Sequence, residues 1–173
     1  MNLFAGRKKK QKTLMIVCTA NMTRSPYFAA LMQKKIEDKK GRMPSGVTIE
    51  SAGTQATDGG PAHLVITNVA GSRGLDLSRH RSARFSSAHA SRADLILTME
   101  QQHKNKILKE YPQLEGKVFT ILEYGRAHDE IEERDIDDPT GLEVEDYLAF
   151  RDMAEQEADR VLHRLMVSGF LPA

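Results

Sequence analysis

The chain has 173 residues, 40% of them apolar and 28% charged, with a net charge of +1. That is enough for one domain with a hydrophobic core, and too evenly charged for bulk attraction to nucleic acid or anionic lipid. No apolar run approaches the ~20 residues of a membrane-spanning helix, and one cysteine excludes an internal disulfide and a multi-cysteine zinc site, as suits a reducing compartment.

The N-terminal segment, residues 1–12, reads MNLFAGRKKKQK. It is basic, and the apolar run behind it is too short for a signal sequence, so it is expected to be a mobile arm ahead of one domain at 13–168. TLMIV (13–17) is a short apolar run of the kind that buried parallel strands show. A helix is predicted from Pro26, with Phe28, Leu31, Met32 and Ile36 on one face and Gly41 closing it. GVTIESAG reads as a second strand, and residues 61–74 as a second helix opened by proline and closed by glycine. ADLILTM (93–99) and KVFTIL (117–122) are the third and fourth strands, flanking a polar helical stretch at 100–111. A charged loop, 123–141, precedes a last helix from about Val144, whose apolar side carries Val144, Tyr147, Leu148, Ala154, Ala158, Val161, Leu162 and Leu165. This alternation predicts an α/β fold with a parallel sheet covered on both faces.

Ligands in such sheets bind beyond the C-terminal strand ends. CTANMTRS (18–25) leaves the first strand there and enters the first helix. A turn at this place can aim successive backbone N–H groups, and the positive end of a helix dipole, at one anion. Arg24 adds a planar fork that can grip two phosphate oxygens. In that field the thiolate of Cys18, its nucleophilic form, is favoured over an inert buried thiol. Asn21 tolerates a left-handed backbone, and Ser25 can donate its hydroxyl to the sulfur.

Attack on phosphorus also needs an acid for the leaving oxygen. RDIDDPTG (134–141) follows the fourth strand and so opens on the same sheet edge. Asp138, before Pro139, is the best-placed candidate and Asp137 its rival. The DID triplet is also found in magnesium phosphatases with an aspartyl nucleophile, but there it follows an apolar strand directly. Here it follows HDEIEER.

Together these pieces resemble the low-molecular-weight protein-tyrosine phosphatases: MIVCTANMTRSP, ESAGT (50–54), GLDLSRHRS (74–82), ADLILTM and DDPTG, in family order over about residues 13–168. The resemblance implies a flavodoxin-like three-layer sandwich with four parallel strands, no metal and no cofactor. It further implies attack by Cys18, a phosphocysteine intermediate, stabilisation by Arg24 and acid–base work by Asp138. The phosphoryl group would be cradled by Thr19, Ala20, Asn21, Met22, Thr23, Arg24 and Ser25. Asn21, Ser25, Ser51 and His80 would shape the loop through hydrogen bonds. Phosphorylated proteins would be the substrates, with phosphotyrosine favoured, in the cytoplasm of a bacterium, and the enzyme a monomer.

Three departures qualify this. Thr23 stands where many relatives have a second cysteine, so a protective disulfide with Cys18 is not expected. Thr140-Gly141 and Thr57 stand where relatives often have aromatic residues around the substrate ring. Met22 is a bulky apolar residue, as in tyrosine-directed members, where the protein-arginine phosphatases have threonine; MEQQHKNKI and KVFTILEY nevertheless resemble that second branch, which is the alternative reading. Arsenate reductase would need further cysteines, and a non-catalytic phosphoprotein-binding module would not need nucleophile, arginine and acid together. His63, His89, His103, His128 and His163 show no ligand-like spacing, and Arg79, Arg81 and Arg84 form a basic patch.

Overall fold

A computed structural model describes residues 11–172. The expected mobile arm falls mostly outside these residues. Its last residue, Lys12, is instead the first of strand β1 (Lys12–Cys18), where its backbone pairs with Val47 and its ammonium donates to the Gly169 carbonyl at 2.6 Å.

β1 and three further strands, β2 (Val47–Gly53), β3 (Leu95–Thr98) and β4 (Val118–Thr120), form one all-parallel sheet in the order β2-β1-β3-β4. Because side chains alternate along a strand, each strand feeds two cores. Leu14, Ile16, Cys18, Leu95 and Leu97 face helices α1 (Arg24–Lys40), α2 (Leu64–Gly71) and α5 (Val144–Val167). Met15, Val17, Ala52, Ile96 and Val118 face α3 (Ser87–Arg92) and α4 (Gln101–Glu110). The parallel sheet covered on both faces is what the strand and helix alternation predicts, and it is the flavodoxin-like three-layer arrangement that the family resemblance implies.

The helices depart from expectation in four places. α1 starts two residues before Pro26, which sits in the first turn, where a missing N–H leaves no bond unmade; it ends at Gly41 with φ 76°. α2 is shorter than 61–74, because residues before it are held by the loops: Gly60 N–H donates to Ser82 Oγ and His63 N–H to the Met22 carbonyl. α3 lacks the length for a periodic signal and was not foreseen. In α5 the apolar face is as expected except Val144, which is 51% exposed at the helix start.

β1 is central, and its neighbours β2 and β3 are reached by connections leaving in opposite directions along the sheet. The crevice that such a switch opens lies beyond the C-terminal ends of β1 and β3. Cys18 is the last residue of β1.

Candidate active site

The segment between β1 and α1 turns back over the end of the sheet. Asn21 makes that turn with φ 56°, the only positive φ of a non-glycine among the described residues. Its side chain is fully buried and bonded on both sides: Nδ2 donates to Ser25 Oγ and to Ser51 Oγ, each at 2.9 Å, and Oδ1 accepts from Ala83 N–H at 2.9 Å. His80 Nε2 meets the Asn21 carbonyl at 2.7 Å. A carbonyl only accepts, so Nε2 carries the proton. Burial holds that imidazole below its ordinary pKa, and hence neutral. The loop is further pinned to β2: Thr54 N–H donates to the Cys18 carbonyl and Gln55 N–H to the Thr19 carbonyl, each at 2.9 Å. Gly53 makes this approach possible, since a Cβ there would stand 2.4 Å from the Thr19 carbonyl oxygen and 2.9 Å from Asn21 N.

Within this frame Cys18 Sγ lies 3.0 Å from Ser25 Oγ and accepts the Asn21 N–H at 3.2 Å. Thr23, at the start of α1, makes no side-chain cap, so the first-turn N–H groups are not claimed by a capping oxygen. Arg24 is 1% exposed. Its guanidinium donates to the Glu100 carboxylate, to the Ile136 carbonyl at 2.6 Å and to Asp138 Oδ2 at 2.8 Å. Arg24 Nε has no partner. An orphaned buried donor is costly unless a ligand meets it, and an anion in the adjoining cavity is the partner its charge calls for.

That cavity measures about 180 Å³ and is lined by Cys18, Thr19, Ala20, Met22, Thr23, Arg24, His63, Asp138 and Thr140. Asp138 therefore faces the cavity that Cys18 lines. Its rival Asp137 is absent from that lining; with Asp138 it lines a neighbouring groove of about 570 Å³, bordered by Ile136, Phe150 and Met153, with no cation in its lining. Burial opposes ionisation of Asp138, but hydrogen bonds from Thr140 and the charge of Arg24 outweigh it and hold the carboxyl below its usual range. Thr140 N–H donates to Asp138 Oδ1 at 3.0 Å, and the Thr140 hydroxyl donates to Thr23 Oγ1 at 2.9 Å, tying the acid loop to the cradle.

The predicted residues thus assemble: Cys18 to Ser25 form the loop, Asp138 stands across it, and Ser51 and His80 buttress Asn21. Thr57 is exposed and absent from the cavity lining. Three residues that the sequence reading passed over also belong here. Glu100, after β3, is the second carboxylate on Arg24. His103, 2% exposed, meets Thr19 Oγ1 at 2.8 Å through Nε2, while Nδ1 accepts Glu100 N–H at 3.2 Å. His63 lines the cavity with its ring stacked on Tyr147. The usable signal for Glu100 and His103 was position: both follow a strand at the C-terminal edge of the sheet. Among the described residues no group of three or more His, Cys, Asp or Glu side chains could hold a metal ion.

A thiol, an orphaned arginine donor and a carboxyl stand around one cavity of a size and charge that suit a phosphate group. Comparison with known proteins narrows the class. The family model for low molecular weight phosphotyrosine protein phosphatase matches residues 13–168. A protein-arginine-phosphatase of Geobacillus stearothermophilus is 34% identical over 152 residues, covering 88% of this chain and 95% of its own. A probable low molecular weight protein-tyrosine-phosphatase, EpsP, of Ralstonia nicotianae is 31% identical, covering 91% and 99%. The crystal structure of a low molecular weight protein tyrosine phosphatase from T. tengcongensis superposes with a TM-score of 0.79 at 29% identity, over 90% of this chain and all of that one. The chain belongs to the low molecular weight phosphotyrosine protein phosphatase family, and it is a phosphatase.

Proposed function

We propose that the chain hydrolyses phosphotyrosine on proteins by a metal-independent, two-step reaction. The observation that carries this is the placement of Cys18, Arg24 and Asp138 in the lining of one small cavity. Cys18 attacks phosphorus and displaces the tyrosine oxygen, which takes a proton from Asp138. The Asp138 carboxylate then removes a proton from water, whose oxygen attacks the phosphocysteine; the P–S bond breaks, and thiolate and inorganic phosphate are released. Arg24 and the loop N–H groups hold the phosphoryl oxygens throughout, since positioning and charge stabilisation dominate phosphoryl transfer. Ser25 and Asn21 N–H, already on the sulfur, stabilise its anion both as nucleophile and as leaving group.

Met22 in the cavity wall favours an aromatic ester. Likeness to the Geobacillus protein-arginine-phosphatase supports phosphoarginine as the second reading. The proposed enzyme acts on protein substrates in the cytoplasm, as a monomer; no helix among the described residues is long and apolar enough to cross a membrane.

The test uses matched phosphotyrosine and phosphoarginine peptides in EDTA. Phosphotyrosine should be preferred, Cys18→Ser should be inactive, and Asp138→Asn should lower kcat about 100-fold or more, as expected for loss of a general acid. Full activity in Cys18→Ser would refute the mechanism, and preference for phosphoarginine would refute the substrate.

A further inference from the structure

His63 stands in the cavity wall with no part in the steps above, yet it is held with care. Its N–H donates to the carbonyl of Met22, a loop residue on the same wall, at 2.8 Å. Its ring stacks on Tyr147 with centroids 5.8 Å apart and planes 16° apart, and Nδ1 lies 3.3 Å from the Tyr147 hydroxyl. That hydroxyl accepts the Gly141 N–H at 3.4 Å, so the same tyrosine touches both His63 and the acid loop. Tyr147 is fully buried, which fixes the ring it supports. Stacking covers one face of the imidazole only. Of the nine residues around the cavity, His63 is the only one with an aromatic ring.

We propose that His63 is a specificity-determining residue: its imidazole is the planar wall, beside Met22, against which the flat group of the phosphorylated side chain lies. The inference rests on the proposed function and deepens it, since it makes planarity of the substrate side chain, rather than phosphate alone, what the site selects. Aliphatic phosphoesters, such as phosphoserine, have no flat face to offer and gain nothing from this wall. The geometry also accounts for the shortage of aromatic residues at Thr140-Gly141 and Thr57. The flat surface is supplied from the start of α2, on a ring preorganised by Tyr147 rather than on a free loop.

The test is calorimetric binding of benzylphosphonate, butylphosphonate and inorganic phosphate to the wild type, His63→Ala and His63→Phe, with aryl phosphate turnover measured on the same preparations. The wild type should bind benzylphosphonate more tightly than butylphosphonate. His63→Ala should weaken benzylphosphonate about three- to tenfold, the range for loss of one ring contact, and leave the other two ligands within about twofold. His63→Phe should restore the preference. The proposal is overturned if benzylphosphonate binding is unchanged, if all three ligands weaken together, or if phenylalanine restores nothing. A wild type without turnover would sink the proposed function instead, whatever the phosphonates do.

Discussion

Replacing Asn21 tests whether one side chain holds the cradle together. Asn21→Ala keeps a left-handed backbone at φ 56° with a residue that resists it, at a cost of roughly 1–2 kcal/mol. It removes the two bonds donated to Ser25 and Ser51, worth about 1 kcal/mol each. It also strands the Ala83 N–H, at roughly 1–3 kcal/mol. The low end of the sum is about 4 kcal/mol, a large part of the ~5–15 kcal/mol typical of a domain. Asn21→Gly escapes only the backbone term, so it should be the more stable variant by about 1 kcal/mol, allowing for the extra unfolded-state entropy of glycine. Urea denaturation of the three proteins gives both numbers. A loss below about 1 kcal/mol in the alanine variant, or a glycine variant no more stable than alanine, would refute the reasoning.

Other expectations follow from the same geometry. Burial, partly opposed by the Glu100 carboxylate, pushes the His103 imidazole down to about 4. The unfolded chain takes up that proton near pH ~6.5 and the folded chain only near 4, so stability falls with pH across this window, by about 1 kcal/mol at pH ~5.5 and about 3 in all. His103→Gln should flatten the profile, and a parallel profile in denaturation from neutral to mildly acid pH would sink the assignment. Glu100→Ala removes one of two carboxylates from buried Arg24; steady-state kinetics should show kcat/KM down by about tenfold or more, and an unchanged value would mean that Asp138 and Ile136 orient the guanidinium alone. Cys18 is the sole thiol, so peroxide should inactivate through sulfenic or higher acids, or through adducts with added thiol. Mass spectrometry of the inactivated protein checks this, and inactivation without modification of Cys18 would contradict its role.

The parts of this protein that were legible before its structure are those in which chemistry is local. A buried run such as TLMIV, a loop that compresses nucleophile and arginine into seven positions, and the proline and glycine ends of α1 each carry their physics in adjacent residues. Asp138 could be preferred to Asp137 only as a guess, because the choice depends on which way a loop faces. His63 was illegible, and His103 and Glu100 were marked by position alone, for a related reason. Each bonds a loop residue 41 or more positions away, a contact no sequence spacing encodes, and a histidine search tuned to metal-ligand spacing passes over rings that act singly. The truncation of α2 was set by tertiary hydrogen bonds, and the six-residue α3, held by a local Ser86–His89 cap, is too short for periodicity to report.

The ion pair between Arg24 and Asp138 has a consequence for timing under the proposed roles. Paired with Arg24, the aspartate is an ionised counter-charge and has no proton to give. An arriving phosphoryl dianion draws the guanidinium to itself and sets its own negative charge beside the carboxylate, and both effects raise the affinity of Asp138 for a proton. The ester thereby arms the acid that will cleave it. Free phosphate engages the same exchange with no bond to break, so under the proposed roles product and substrate compete for one electrostatic latch.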